Sequence, residues 1–207
     1  MAKASVSAEA QTAAVWKEDY LMDFLDIVEL ILIVILAVLI LSDLLLAALG
    51  KEKVVVDTSA PFKKVSMDDE SLVIEKELTF RNEGKQCATI MDAIVRPLLP
   101  YEQYDGIEAR GKAEREGEPR EDDYFEAVLI QKKGDAKGED VLHIFAKLKF
   151  LPRKGMTLEE ALSHMVDIAV DVIWQETGRM PYHYEKVQLK LSAEEIAQLA
   201  GVTLAKD

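Results

Sequence analysis

The chain contains one apolar run that is long enough to cross a lipid bilayer. Residues 27–49 read IVELILIVILAVLILSDLLLAAL, and 17 of these 23 residues are Leu, Ile or Val. A bilayer core needs about 20 mostly apolar residues in helical form. On an insertion scale the aliphatic residues contribute about −5 to −10 kcal/mol, whereas a central Asp costs about 3 kcal/mol. The run therefore predicts a single transmembrane helix.

Two other interpretations of this run fit less well. The twelve uninterrupted apolar residues Leu30–Leu41 disfavour the core helix of a soluble protein, because such helices usually keep one polar edge. A cleaved signal peptide begins with a basic segment and has a shorter apolar run. Residues 1–26 instead contain two lysines and five acidic residues.

Two acidic residues lie within the run, on one face of the predicted helix. Glu29 and Asp43 are 14 residues apart, roughly 40° around the helix and about 21 Å along it. Asp26 and Ala47 fall on the same stripe. Because ionisable residues in a membrane usually face protein or water, we expect Asp26, Glu29, Asp43 and Ala47 to contact other membrane helices. The alternative is that Asp43 reaches lipid headgroups.

The flanks of the run predict an interface and an orientation. Residues 1–26 are expected to form a tail or interfacial helix, with Trp16 and Tyr20 in the aromatic belt of the membrane interface. The alternative is that they simply extend the same helix. More lysines follow the run (Lys51, Lys53, Lys63, Lys64) than precede it (Lys3, Lys17). The positive-inside rule therefore places the C-terminal domain in the cytoplasm.

Residues 51–207 alternate between apolar and polar positions, as β-strands do. Seven segments have strand character: 53–57, 71–81, 87–95, 124–131, 141–150, 167–174 and 182–191. About seven short strands separated by turn signals are typical of an antiparallel β-sandwich. Pro97 and Pro100 are expected to end the third strand. Residues 101–123 contain nine acidic and four basic residues and predict a flexible charged loop, or a hairpin that contacts a neighbouring subunit.

Two short helices are predicted within the sandwich. Thr157–Glu160 and Ser192–Glu195 are capping boxes, and Gly201 is a candidate C-terminal cap for the second helix. We expect the first helix to cross from one sheet to the other. The stretch ELTFRNEGKQCATIMDAIV, residues 77–95, resembles immunoglobulin-like sandwiches of membrane-anchored prokaryotic proteins, in which an N-x-G turn joins two core strands. The chain has no Cys…Trp…Cys pattern, so an antibody-type domain is not implied.

The sequence predicts no catalytic, cofactor-binding or metal-binding residues, and hence no enzyme. It has no phosphate loop and no nucleophile elbow. His143, His164 and His183 lack ligand spacing, Cys87 is expected to pack in a strand, and the acidic turns 67–70 and 121–123 lack the pattern of a calcium loop. Residues 51–207 carry 23 basic and 31 acidic residues, which disfavours nucleic acid and anionic lipid as partners.

These features favour a non-catalytic, structural or accessory subunit of a larger membrane complex. Its partners would be other membrane subunits, or a second copy of the same chain, within the lipid bilayer. The alternative is a filament subunit. Residues 27–34, IVELILIV, resemble the helix of pilins, and pilins and archaellins also join a hydrophobic N-terminal helix to a β-sandwich. Phe24 stands where the pilin leader site has Gly, five residues before the Glu, and this departure puts pilin-type processing in doubt.

Overall fold

The computed structural model describes residues 2–119 and 125–205, with the backbone alone for residues 2–23. The chain divides into two compact units, residues 1–49 and residues 50–207. The first unit is one helix, α1, which spans Ala2–Leu49 and has no break between the predicted tail and the apolar run. Gly50 follows it in the left-handed region, with φ of 72°, as a glycine after a helix commonly does.

The second unit has two antiparallel sheets, with nine strands in the part of the chain that the structure describes. The first sheet has the order β1-β3-β7-β5, with β2 also paired to β3, and the second has the order β6-β4-β8-β9. The strands are β1 Val54–Asp57, β2 Lys63–Met67, β3 Leu72–Asn82, β4 Ala88–Leu98, β5 Ile107–Arg115, β6 Val128–Ile130, β7 Val141–Pro152, β8 Ile168–Thr177 and β9 His183–Leu191.

This strand order is that of an immunoglobulin-like sandwich. The order β1-β3-β7-β5 corresponds to strands A, B, E and D, and β4-β8-β9 to strands C, F and G. The predicted fold class, an apolar N-terminal helix followed by an immunoglobulin-like β-sandwich with two short helices, is confirmed.

The core lies between the two sheets. Inward side chains alternate with outward ones along β3 and β7, so that Leu78, Phe80 and Ile144 are fully buried. The ring of Phe80 meets the ring of Trp174 on β8 edge to face, with centroids 4.9 Å apart. This period-2 burial is why the strands could be read from the sequence.

Both predicted helices begin at their capping boxes. The Thr157 side chain accepts a hydrogen bond from the Glu160 N–H at the start of α2, Leu158–Ser163, and Ser192 accepts one from Glu195 at the start of α3, Ala193–Ala200. Gly201 caps α3 with φ of 78°. Helix α2 joins β7 of the first sheet to β8 of the second, as predicted.

Two strands were missed by sequence reasoning, and strands β4, β7 and β8 extend two or three residues beyond their predicted ends. Strand β5 lies inside residues 101–123, which were expected to form a loop, and β2 lies in a segment that was left unassigned. Residues 120–123 of that loop and Tyr124, the first residue of the predicted strand 124–131, lie outside the described residues; within that predicted strand the structure has β6 at Val128–Ile130. Strand β4 continues through Pro97. Strand β6 pairs only with Ala88–Ile90, so at Pro97 the only hydrogen-bonded neighbour of β4 among the described residues is β8. A proline is tolerated at such an edge position, because its missing N–H is not needed for a second neighbour.

Candidate functional site

The acidic stripe of the apolar helix is exposed within its own unit. Asp26, Glu29, Asp43 and Ala47 all lie on α1, and all four are exposed. The helix is continuous between them, so the angular relation deduced from their spacing applies to it. Phe24–Leu49 has a mean hydropathy of 3.1 and is long and apolar enough to span a membrane. The contacts predicted for the stripe remain a prediction.

The predicted interfacial aromatics lie near the start of α1. Trp16 and Tyr20 belong to its helical backbone. Their side chains lie outside the described residues, so their placement at a membrane interface also remains a prediction.

The end of the sandwich that contains Gly50 gathers four loops, and we call it the Gly50 pole. Its loops are residues 50–53, 83–87, 131–140 and 178–182, and the β5–β6 connection begins at the same end, where the Glu116 N–H donates to the His143 carbonyl. The strand register brings them together, because Val54 pairs with Asn82, Ala88 with Ile130 and Glu176 with His183. The opposite end has loops 68–71 and 99–106 and the segments 153–167 and 192–205, which contain α2 and α3, and it is called the α2 pole.

Glu52 joins the segment after α1 to a loop that lies more than a hundred residues further along the chain. Its side chain is buried, and its carboxylate accepts hydrogen bonds from the backbone N–H of Arg179 at 3.0 Å and of Met180 at 2.8 Å. Burial alone raises the pKa of Glu52, but these donors outweigh it, so its pKa lies below the ordinary value. Arg179 also donates from its guanidinium to the Gly50 carbonyl at 2.9 Å.

A glycine makes room for this contact. A Cβ at position 178 would lie 2.6 Å from the Glu52 carboxyl carbon and 2.9 Å from the Cys87 carbonyl oxygen. The buried carboxylate, its two N–H donors and Gly178 therefore form one cluster, which we call the Glu52 clamp.

Asn82, at the end of β3 in the first sheet, binds the segment that follows α1. It is fully buried, its side-chain oxygen accepts from the N–H of Gly84 and Lys53, and its amide donates to the Gln86 carbonyl at 2.8 Å. Lys51 and Lys53 add backbone bonds to Lys85 and Glu83. The four residues after α1 are thus fixed to both sheets.

A second buried carboxylate lies beside the clamp. Glu176 on β8 is 5% exposed, and burial raises its pKa, while nearby His183 lowers it in part. The Trp174 indole N–H is buried near Glu176 and lowers the pKa of that carboxyl group in part. Its geometry does not meet the criteria of a hydrogen bond to any described residue. Sequence reasoning missed Glu52, Asn82 and Glu176 as buried polar residues. Only the N-x-G turn drew attention to Asn82.

The other candidate residues have structural partners. His143 contacts the Glu77 carboxylate at 2.8 Å on the outer face of the first sheet, and the Cys87 thiol lies 3.2 Å from the Gln131 side-chain oxygen. Asp68, in the acidic turn 67–70, accepts hydrogen bonds from the N–H of Glu70 and Ser71, which lower its pKa. This turn is therefore held by its own side chain.

A shallow basic groove crosses the outer face of the first sheet. It is lined by Val73, Arg110, Gly111, Lys112, Lys147, Leu148 and Lys149. Acidic residues balance much of this charge: Arg110 pairs with Glu108 at 2.7 Å, and Glu114 contacts both Lys112 and Lys147. Burial alone raises the pKa of Glu114, but the two lysines outweigh it and keep the carboxylate charged.

Comparison with known proteins identifies no family for the chain. No protein-family model and no curated protein matches it. Among solved structures, the GAE domain of GGA2p from Saccharomyces cerevisiae is similar with a TM-score of 0.30 and 10% identity, covering 69% of this chain and 91% of that one. The yeast GGA1 GAE domain gives a TM-score of 0.29 and 8% identity, covering 63% and 98%. Scores this low carry no argument about function.

Proposed function

We propose that the protein is a non-catalytic, single-pass membrane protein that acts as a structural or accessory subunit of a larger membrane complex. The observation that carries this proposal is the acidic stripe on an apolar helix. The helix has the length and hydropathy of a membrane span, and Asp43 lies six residues before its end. A carboxylate within a span is costly unless it faces a donor or water.

The sandwich has the attributes of an interaction domain. Glu52 and Asn82 are engaged by backbone groups, and Glu114 by two lysines. These buried polar groups support the fold and its junction with the segment after α1. In this proposal the helix recognises membrane helices, and the exposed faces of the sandwich dock on partner subunits.

Replacement of Asp43 tests the proposal. We expect Asp43→Leu to lose co-purifying subunits from native membranes while α1 still inserts, since the change makes insertion more favourable by about 3 kcal/mol. Leu45→Ala is the matched control, because position 45 lies about 160° from Glu29 around the helix. Unchanged co-purification of the Asp43→Leu protein would remove the helix-recognition part of the proposal.

The orientation belongs to the same proposal. The lysines that follow the span favour a cytoplasmic sandwich, and protease treatment of sealed, right-side-out cells checks it. We expect residues 50–207 to stay intact until the membrane is opened. Digestion in intact cells would reverse the orientation.

A filament subunit is the second candidate, because a helix that continues from Ala2 to Leu49 and is followed by a β-sandwich also suits a helical filament. Mass spectrometry that locates the first residue of the mature chain distinguishes the filament subunit from the accessory subunit. An N-terminus cut just before the apolar run favours the filament, whereas an N-terminus that retains residues 1–26 favours the accessory subunit.

A further inference from the structure

The outer edge of β9 pairs with no strand in the part of the chain that the structure describes. Strand β9 ends the second sheet, whose order is β6-β4-β8-β9. It pairs with β8 over nine residues in one unbroken register. It contains no proline and no glycine. A long, regular edge strand of this kind offers a row of backbone N–H and C=O groups to a further strand.

The other sheet edges are shorter, irregular or approached by the opposite sheet. Strands β1 and β6 have four and three residues, and the pairing of β2 with β3 shifts register between Lys64 and Ser66. Beyond the end of β6, the edge of β4 carries Pro97. Strand β5 is as long as β9, but a Cβ at Gly111 would lie 2.3 Å from the Val95 carbonyl oxygen of β4 in the other sheet. Strand β9 is therefore the edge best suited to strand addition.

Three outward side chains of β9 are held toward β8, away from the open edge. Lys186 and Gln188 both donate to the carboxylate of Asp171, at 3.2 and 2.8 Å. The Tyr184 hydroxyl accepts a hydrogen bond from the Gln175 amide at 2.7 Å. Edge strands often use lysine to prevent further pairing. Because the ion pair holds Lys186 toward β8, this protection is weakened in β9.

The sequence of β9 favours a second copy of the same strand as its partner. In a symmetric antiparallel pair, the central residue lies opposite its own copy. Val187 is the middle residue of β9, so only a pair centred there engages the whole strand. A shift of the centre to Lys186 opposes two copies of that lysine, and a shift to Gln188 opposes Lys186 with Lys190. Like charges directly opposite each other are destabilising.

The pair centred on Val187 opposes no like charges. It places the residues of the two copies opposite each other as follows: Val187 with Val187, Lys186 with Gln188, Glu185 with Leu189, Tyr184 with Lys190 and His183 with Leu191. The ring of Tyr184, which is 65% exposed, then meets the Lys190 ammonium, and a cation over an aromatic ring is attracted to it. Val187, half-buried against the core, is covered by its own copy.

We propose that two copies of the sandwich associate by antiparallel pairing of their β9 strands, centred on Val187. The second sheets of the two copies then form one continuous sheet. This inference goes beyond the proposed function. It uses residues of the sandwich alone, so it does not depend on whether α1 spans a membrane.

Disulfide cross-linking of the full chain in detergent micelles tests the register. Each variant carries one introduced cysteine in a Cys87→Ser background, since Cys87 is the only natural cysteine. In the proposed pair the Cα atoms of the two 187 positions are about 4.5–5.5 Å apart, within disulfide range. The two copies of position 186, or of position 188, are about 7–8 Å apart, beyond that range. We expect Val187→Cys to cross-link rapidly, and Lys186→Cys and Gln188→Cys slowly.

The control for random collision is Leu129→Cys, because Leu129 is exposed on β6 at the other side of the second sheet. Cross-linking that is fastest at position 186 or 188 would overturn the inference, as would a rate at position 187 no higher than that of Leu129→Cys. Absence of cross-linking at all three β9 positions would mean that this edge takes a strand from another protein or none, and would also overturn it.

A pair of variants at Tyr184 tests the same contact without cysteines. Tyr184→Lys opposes Lys190 with a like charge, whereas Tyr184→Glu opposes it with an opposite charge, and both remove the aromatic ring. The contact occurs twice in the dimer, so Tyr184→Lys should dimerise about 2- to 30-fold more weakly than Tyr184→Glu in sedimentation equilibrium. Adding Lys190→Glu to Tyr184→Lys should restore the dimer. Equal dimerisation of the two single variants would overturn the inference.

Discussion

The Glu52 clamp allows a prediction whose magnitude follows from the structure. Glu52→Ala removes two hydrogen bonds between a carboxylate and the N–H groups of Arg179 and Met180. Hydrogen bonds to charged groups contribute about 1.5–3 kcal/mol each. The carboxylate is also desolvated, which offsets part of the gain, so we expect a loss of about 2–4 kcal/mol in the free energy of unfolding.

Thermal unfolding measures this loss. For a domain of this size, 1 kcal/mol shifts the midpoint by about 2–4 °C, so Glu52→Ala should lower the Tm by about 5–15 °C. The assay is Trp fluorescence of the full chain in detergent micelles at neutral pH, since Trp174 is buried beside the clamp. Glu83→Ala, which removes an exposed ion pair with Lys53, is the control and should leave the Tm almost unchanged.

The pH dependence provides a second check on the same clamp. The pKa of Glu52 lies below its ordinary value of 4.5 in the folded protein. The clamp therefore stabilises the fold above about pH 4.5 and loses this effect as the pH falls through the folded pKa. The Tm difference between wild type and Glu52→Ala should shrink in acid. If the two proteins melt together at neutral pH, the reasoning about the clamp is refuted.

Three further predictions concern the sandwich. Gly111→Ala should destabilise it by about 1–3 kcal/mol in urea unfolding, because the new Cβ would lie 2.3 Å from the Val95 carbonyl oxygen; an unchanged midpoint would deny the close approach of β5 to β4. Glu176→Gln should raise the Tm at pH 7 but not near pH 4. Burial raises the pKa of Glu176, so the folded protein loses stability relative to the unfolded chain as the pH rises through that pKa. Ser192→Ala should cost about 1 kcal/mol in urea unfolding through the lost α3 cap, and an unchanged stability would exclude that cap.

The parts of the fold that were predicted from the sequence are those set by local signals. Both capping boxes and Gly201 act within a few residues, and the long strands β3 and β7 alternate between buried and outward side chains. These patterns can be read from the sequence for two reasons. The groups that form a helix cap lie within a few residues of each other. An alternating strand needs the core as a whole, and not one particular residue, to bury its inward side chains.

The two missed strands show this pattern only weakly, for physical reasons. The inward positions of β5 include Ala109, Gly111 and Ala113, which are small because the strand runs close to the Val95 backbone. Strand β2 is exposed throughout and carries Lys63 and Lys64, as edge strands often do to prevent further pairing. Strand β5 does alternate small with charged residues, but after Ile107 it has no large apolar side chain, and β2 has no buried face, so neither was recognised as a strand.

The polar groups of the candidate site depend on contacts between distant parts of the chain. Glu52 meets Arg179 across 127 residues, and Asn82 reaches Ile130 across 48. No sequence spacing marks such pairs, so the clamp had to be read from the fold. The acidic stripe, by contrast, lies on one helix, where position follows from residue number.

The central claim is that the position of the acid on α1, and not its mere presence, determines which subunits the protein binds. The most direct measurement compares co-purification from native membranes for wild type, Asp43→Leu and the double variant Asp43→Leu/Leu45→Asp. The double variant keeps composition and charge but moves the acid about 200° around the helix. We predict that both variants lose the partners. Retention of the partners by the double variant would contradict the account.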